Sequence, residues 1–507
     1  MRDLFRLCEP TLLFRHGQEM EDPRDGLRLF GPFDSGRIYG IRWGIAGTPD
    51  CIKRFLVWAN RIQYPISSRI DEAEKLFRPH YPGFDAAFGI PFSPTPSLQV
   101  EIPAAELDKC IRLDNRHHRV YAAVDLYAKG IIDTIEEEET RPDLWFVVIP
   151  DNVYRYCRPQ SIVEKSARIE STLKLSATFG KRLEREPSFF EPLNVAAKPY
   201  QYEPNFHNQL KARLLGYLVP TQVLRESTIA PLDFLNPFGR PKRRVDEPST
   251  VAWNISNAVF YKAGARPWKL ANVREGVCYL GLVFKQDDRS PDARMACCAA
   301  QMFLDSGDGV VFKGAVGPWY SAEDRNFHLS SAAAKELVQL ALETYRKMNP
   351  ERIGPRELFI HGKISFDDAE WQGFSEAAGG HTKVVGVRIR RAGTLKLYSK
   401  GTYPVLRGVG YALRPTVAYL WTVGFTPRLQ TYIGKELPNP LSIDVCRGEA
   451  SLEVVCRDVL ALTKLNYNSC IFSDGQPVTL RFADSVGEIL TAGPLSGTPP
   501  LPFKYYI

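Results

Sequence analysis

The chain has 507 residues, 44% hydrophobic, 24% charged and 11% aromatic, with 65 lysines and arginines against 58 aspartates and glutamates for a formal net charge of +7. That length and balance exclude a small disulfide-stapled fold and an extensively disordered chain, and predict roughly two to four domains. The mild positive charge permits a polyanionic partner without demanding one. Ten cysteines contain no CxxC pair and no cysteine–histidine cluster at zinc spacing, which argues against structural zinc and for small buried thiols in a reducing compartment, placing the protein in the cytoplasm. The first eight residues carry charges where a signal peptide needs an apolar core, and no run approaches the ~18 apolar residues of a membrane span.

In chain order, Leu29 and Phe30 are followed by the turn signal Gly31-Pro-Phe-Asp-Ser, which closes an opening segment over 1–35. From there to about 265 strands and helices are expected to alternate. The run Leu144-Trp-Phe-Val-Val-Ile, stopped by Pro150 and Asp151, reads as a strand buried on both faces, the mark of an α/β layer. The acidic stretch Glu136–Glu139 just before it reads as a solvated helix end. Pro237, Gly239 and Pro241 mark an exposed loop over 234–248. Its basic cluster Lys242-Arg243-Arg244 is solubility charge unless other phosphate-binding groups lie nearby.

The second half opens with the strand Val277-Cys-Tyr-Leu-Gly-Leu-Val-Phe and continues through Met302-Phe-Leu and Val310-Val-Phe. Asp305 to Asp308 form the turn between those last two. Ser330 is the N-cap candidate of an amphipathic helix from Ala332 to Arg346, and Glu357-Leu-Phe-Ile-His is the next strand. Hairpins, then a helix, then a strand is the order an RNase H-like sheet requires. Asp367, Asp368 and Glu370 fit helix capping better than catalysis, and no Walker A loop, GxSxG elbow or HExxH occurs.

His207 and Lys211 lie four positions apart, so on a helix they share a face and could hold one anion together. Pro204 and Asn205 supply the helix start, where free N–H groups and the helix dipole favour a phosphate. Gln222 and Lys262 follow. Alone, such a set is mostly solvated surface. In order, however, His207, Lys211, Gln222 and Lys262 resemble the guide 5'-phosphate pocket of the short prokaryotic Argonautes, in which a MID domain precedes a PIWI domain without N and PAZ domains. The first position in that family is more often tyrosine or arginine. Glu9-Pro-Thr-Leu-Leu-Phe-Arg-His-Gly-Gln is similar to the family's linker into MID, and Leu462-Thr-Lys-Leu-Asn-Tyr-Asn-Ser and Gln476-Pro-Val-Thr-Leu-Arg-Phe-Ala-Asp are similar to PIWI.

The resemblance implies an α/β chain with a linker-like segment over 1–35, a Rossmann-like MID domain over 36–265 and an RNase H-like PIWI domain over 266–507. It implies that the carboxylate of Ile507 reaches into the MID pocket and, with Mg²⁺, bridges guide phosphates; packing of the tail's aromatics onto a core is compatible with this. PIWI slicing needs carboxylates that hold two metal ions. By the resemblance the ligand positions fall at Val283, Gly362 and Asp484, so a single carboxylate remains, and His361 beside Gly362 reads as a structural histidine. The implied function is guide-RNA-directed recognition of a single-stranded DNA target by a non-slicing protein. Its partner would be an APAZ protein carrying a TIR or sirtuin-like effector that depletes NAD in defence, with oligomerisation on target binding among the outcomes. Lys396 and Arg407 are candidate contacts to the duplex backbone, against the plainer reading of each as ordinary surface charge. The competing expectation is an active guide-directed nuclease, and a third is a nucleic-acid binder with no guide.

Overall fold

The computed structural model describes residues 3–507 apart from 69–75, 172–174, 287–291, 293, 305–306, 308, 322–324, 350, 433 and 495–499. Asp305 and Asp308, read above as turn residues, therefore lie outside the described residues.

In the first half, the strands Leu98–Glu101, Trp43–Gly47, Leu144–Ile149 and Thr221–Arg225 lie side by side in that order and pair in parallel throughout. Leu144–Ile149 is buried at every position, and its period of two sends alternate side chains to opposite cores. Leu144, Phe146 and Val148 meet Phe55 and Ala59 of the helix Pro49–Arg61. Trp145, Val147 and Ile149 meet Val120, Val124 and Tyr127 of the helix Arg116–Glu137, together with Leu210. Each such side chain contributes about 1.5–3 kcal/mol by leaving water, which is why an uninterrupted apolar run becomes a strand covered on both faces. The helix Pro49–Arg61 starts where it does because Thr48 caps it, its side chain accepting from Cys51 N, with proline in the first turn. The acidic stretch Glu136–Glu139 is exposed at the end of the helix Arg116–Glu137, as expected.

The second half is built on a sheet of ten described strands, in the order Leu4–Arg6, Val409–Arg414, Val417–Leu420, Leu441–Arg447, Lys383–Arg391, Glu357–Gly362, Val277–Gln286, Ala296–Leu304, Gly309–Gly317 and Leu501–Pro502. Val277–Gln286, Ala296–Leu304 and Gly309–Gly317 form an antiparallel meander, and Glu357–Gly362 returns parallel to Val277–Gln286 after the helix Ser331–Met348. This is the RNase H-like order. Ser330 caps that helix by accepting from Ala333 N, and Asp367 and Glu370 form a reciprocal capping box on the helix Asp368–Ala378. Gly281 is required at the sheet's centre, because a Cβ there would lie 2.0 Å from the Thr479 carbonyl oxygen.

The opening segment does not stand apart as a linker. Leu4–Arg6 pairs with Val409–Arg414 and completes that sheet edge, and Leu12–Leu13 pairs with Lys269–Leu270. Glu9 is fixed beneath it by Arg407 at 2.9 Å and Lys464 at 3.0 Å. Arg407, a candidate for nucleic-acid contact or plain surface, is instead 5% exposed and also donates to the Thr422 carbonyl and the Thr463 hydroxyl. A buried guanidinium needs these partners, so it holds the fold and is closed to a duplex. Lys396 is half-buried, with its Nζ donating to the Leu437 carbonyl at 2.8 Å. One hydrophobic cluster runs from Trp43 and Phe146 through Trp253, Phe260 and Trp268 to Tyr467, Phe503 and Ile507, so the two halves share a core. No helix among the described residues is long and apolar enough to cross a membrane.

Candidate nucleic-acid site

The helix Phe206–Leu214 starts at Asn205, whose side chain accepts from Asn208 N, as the sequence predicts. Its inward face carries Lys211, 2% exposed, and the helix Pro248–Lys262 ends on Lys262, 1% exposed. Between them lies the start of the strand Thr221–Arg225. Lys211 Nζ donates to the main-chain oxygen of Ile507 at 2.7 Å and to that of Thr221 at 3.4 Å. Lys262 Nζ donates to the same Thr221 oxygen at 3.0 Å and to Gln222 Oε1 at 2.6 Å. The structure thus brings Lys211, Gln222, Lys262 and Ile507 together around one carbonyl. His207, one turn before Lys211, keeps an exposed edge at the surface, with Nδ1 3.1 Å from Asn208 Oδ1.

Ile507 arrives because the tail is packed. Leu501–Pro502 adds to the strand Gly309–Gly317, Phe503 lies against Phe303 and Phe482, and Tyr506 is 2% exposed. Core packing and delivery of Ile507 to Lys211 are therefore one arrangement.

The two amines are buried, and their hydrogen bonds within the described structure go to main-chain oxygens and to the neutral side chain of Gln222. Among the described residues neither amine has an Asp or Glu side-chain partner. Burial lowers Lys211 to about 7. Burial, and then the neighbouring Lys211, hold Lys262 well below an ordinary lysine. Burial, then Lys211, lowers His207 to about 4, so its imidazole is neutral at pH 7. Holding two amines out of water costs stability. Sequence reasoning missed the Thr221 carbonyl, which both amines share. It is a main-chain group, so no side-chain pattern could have marked it.

The three positions that the resemblance assigns to a nuclease site also meet. Val283, Gly362 and Asp484 line one cavity of about 170 Å³ together with Phe284, Phe327 and Phe366. The only acidic residue among the described residues lining it is Asp484, and both its carboxylate oxygens accept from Lys363 Nζ, at 2.7 and 2.8 Å. An ammonium therefore stands beside the one carboxylate. Lys363 directly follows Gly362, and sequence reasoning missed its pairing with Asp484, 121 positions away. A Cβ at Gly362 would lie 3.0 Å from the Phe366 ring, so the place an aspartate needs is tight. His361 is buried, with Nδ1 2.9 Å from Thr479 Oγ1, and burial lowers it to about 3. It is a structural histidine. His328, Asp367 and Glu370 come close enough to hold an ion, but the capping box already accounts for both carboxylates.

A parallel doubly wound layer with buried amines at its junction to an RNase H-like sheet defines a MID–PIWI type of fold. No protein-family model and no curated protein sequence matches the chain. Solved structures do. A structure of Clostridium butyricum Argonaute bound to a guide DNA and a 19-mer target DNA has a TM-score of 0.59 and 13% identity, over 98% of this chain and 54% of that one. Drosophila Piwi has a TM-score of 0.57 and 13% identity, over 99% and 56%. A. aeolicus Argonaute has a TM-score of 0.53 and 16% identity, over 98% and 54%. The chain is similar in fold to these proteins and spans little more than half the length of each.

Proposed function

We propose that this chain is a guide-dependent nucleic-acid binder that grips the 5'-phosphate of a short guide RNA and pairs the guide with a single-stranded DNA target. The observation that carries the reading is the meeting of Lys211 and Lys262 on the Thr221 carbonyl, buried and without a side-chain carboxylate among the described residues. A terminal phosphate supplies what they lack, two negative charges and oxygens that accept from ammonium groups. Gln222 then orients Lys262, and His207 faces the phosphate as a neutral donor or the first base as a stacking ring. Backbone charge gives the affinity and base pairing the sequence.

Mg²⁺ belongs to this reading as a shared ion between guide phosphates and Ile507. The fit is partial: Ile507 offers hard oxygen while Lys211 already holds it, so most ligands would come from the phosphates and water. With Val283 and Gly362 at the nuclease positions and Lys363 on Asp484, we assign no slicing to this chain. The effector step then falls to a partner, an APAZ protein with a TIR or sirtuin-like domain that depletes NAD. Exposed Val57, Tyr64 and Leu232, around an apolar groove of about 870 Å³, are surface such a partner would cover.

Binding of matched 5'-phosphorylated and 5'-hydroxyl oligonucleotides tests the reading. A preference for the phosphate that Lys211→Ala removes supports it, whereas equal binding of both strands rejects it in favour of a binder without a guide. Guide-dependent cleavage at a fixed position in Mg²⁺ or Mn²⁺ would overturn the non-slicing assignment alone.

A further inference from the structure

A cleft of about 1160 Å³ opens where the strands Leu144–Ile149 and Thr221–Arg225 end. This is the edge at which doubly wound sheets bind ligands. Arg155, Arg158, Arg225, Lys242 and Arg243 line it, against two carboxylates, Asp151 and Glu226. Both carboxylates are engaged. Asp151 Oδ1 accepts from Arg225 Nε at 2.9 Å and from Ser227 Oγ at 2.7 Å, and Glu226 is paired with Arg54 at 3.0 Å outside the cleft.

Arg243 is held by hydroxyls alone, its Nε donating to Ser227 Oγ at 2.7 Å and its Nη2 to Thr228. Burial, then repulsion from Arg225, lowers its pKa. Arg158 and Lys242 form no ion pair among the described residues, and Arg158 and Arg225 both lie over the ring of Tyr154, at 4.8 and 4.0 Å. Lys242 and Arg243 belong to the basic cluster whose reading depended on phosphate-binding groups nearby, and the fold supplies them from two other segments. The volume exceeds the ~300–1,000 Å³ of small-molecule sites, so it suits an extended chain. Pro159 and Gln160 wall both this cleft and a cavity of about 280 Å³. That second cavity is lined by Arg116, Lys285 and Pro204, the last at the head of the helix bearing His207 and Lys211.

We propose that this cleft binds the sugar–phosphate backbone of a single-stranded nucleic acid, as a second contact separate from the pocket at Lys211 and Lys262. Pinned guanidiniums recognise phosphodiesters, and the Tyr154 ring holds Arg158 and Arg225 in place to meet them. The inference rests on the proposed function only in taking nucleic acid as the ligand.

The test is a salt titration of the full chain carrying Arg158→Ala and Lys242→Ala, with 5'-phosphorylated and 5'-hydroxyl 20-mers followed by fluorescence anisotropy. Both side chains are exposed, so the variant should fold, and the Gln pair serves as a second variant. Losing two phosphate contacts lowers the slope of log K against log salt by about 1.4 for single strands. Both strands weaken alike and the 5'-phosphate preference stays. Lys211→Ala does the reverse, removing the preference and leaving the cleft's share of the slope, so the two readings fail separately. A loss seen only when a complementary strand meets guide-loaded protein assigns the cleft to the target and supports the inference. An unchanged slope with guide and with target overturns it, as does weakened binding of an acidic peptide with strand binding intact.

Discussion

Replacing Lys211 with alanine removes one of the two amines on the Thr221 carbonyl and leaves the exposed surface untouched. A hydrogen bond from an ammonium to a charged group is worth about 1.5–3 kcal/mol, so affinity for a 5'-phosphorylated strand should fall roughly 10- to 150-fold. Affinity for the 5'-hydroxyl strand should stay level. A pH series sharpens the test. In the free protein Lys211 is held to about 7 and Lys262 is lowered in the same direction. A bound phosphate favours the charged amines, so binding takes up protons wherever pH lies above the free value and below the value in the complex. Wild-type affinity for the phosphorylated strand should therefore fall as pH rises above 7, by up to about tenfold per unit for each amine that must be charged. Below that range the phosphate's own protonation, near pH ~6, weakens binding again. Equilibrium titrations at fixed ionic strength from pH 6 to 9 would read both effects. The reasoning is refuted if the variant weakens both strands equally, or if wild-type preference for the phosphate grows as pH rises above 7.

Arg407→Ala strips Glu9 of one buried partner and should destabilise the fold by about 3–5 kcal/mol in chemical denaturation, with no change in the salt slope of strand binding. His207→Tyr should keep 5'-phosphate binding within about threefold and introduce no step between pH 5 and 7, because the imidazole is neutral there, with its pKa near 4. Asp484→Asn breaks only an exposed pair with Lys363, so its melting free energy should change by less than about 1 kcal/mol. Chelation of Mg²⁺ should weaken binding of 5'-phosphorylated guides and leave 5'-hydroxyl binding and the melting temperature unchanged.

What the sequence determined by itself was periodic or local. The apolar run Leu144–Ile149 announced a strand covered on both faces, Ser330 and Asp367 announced helix starts, and the four-residue spacing of His207 and Lys211 put both on one helix, because backbone geometry turns spacing directly into position. Tertiary structure decided what depends on distant segments meeting. Lys211 finds Ile507 across 296 positions, Lys363 finds Asp484 across 121, and Arg407 finds Glu9 across 398. Spacing along the chain carries no record of those encounters. It also left Lys242 and Arg243 indistinguishable from solubility charge, since a cation becomes part of a binding cleft only when the fold sets other cations beside it and gives the nearby carboxylates other partners.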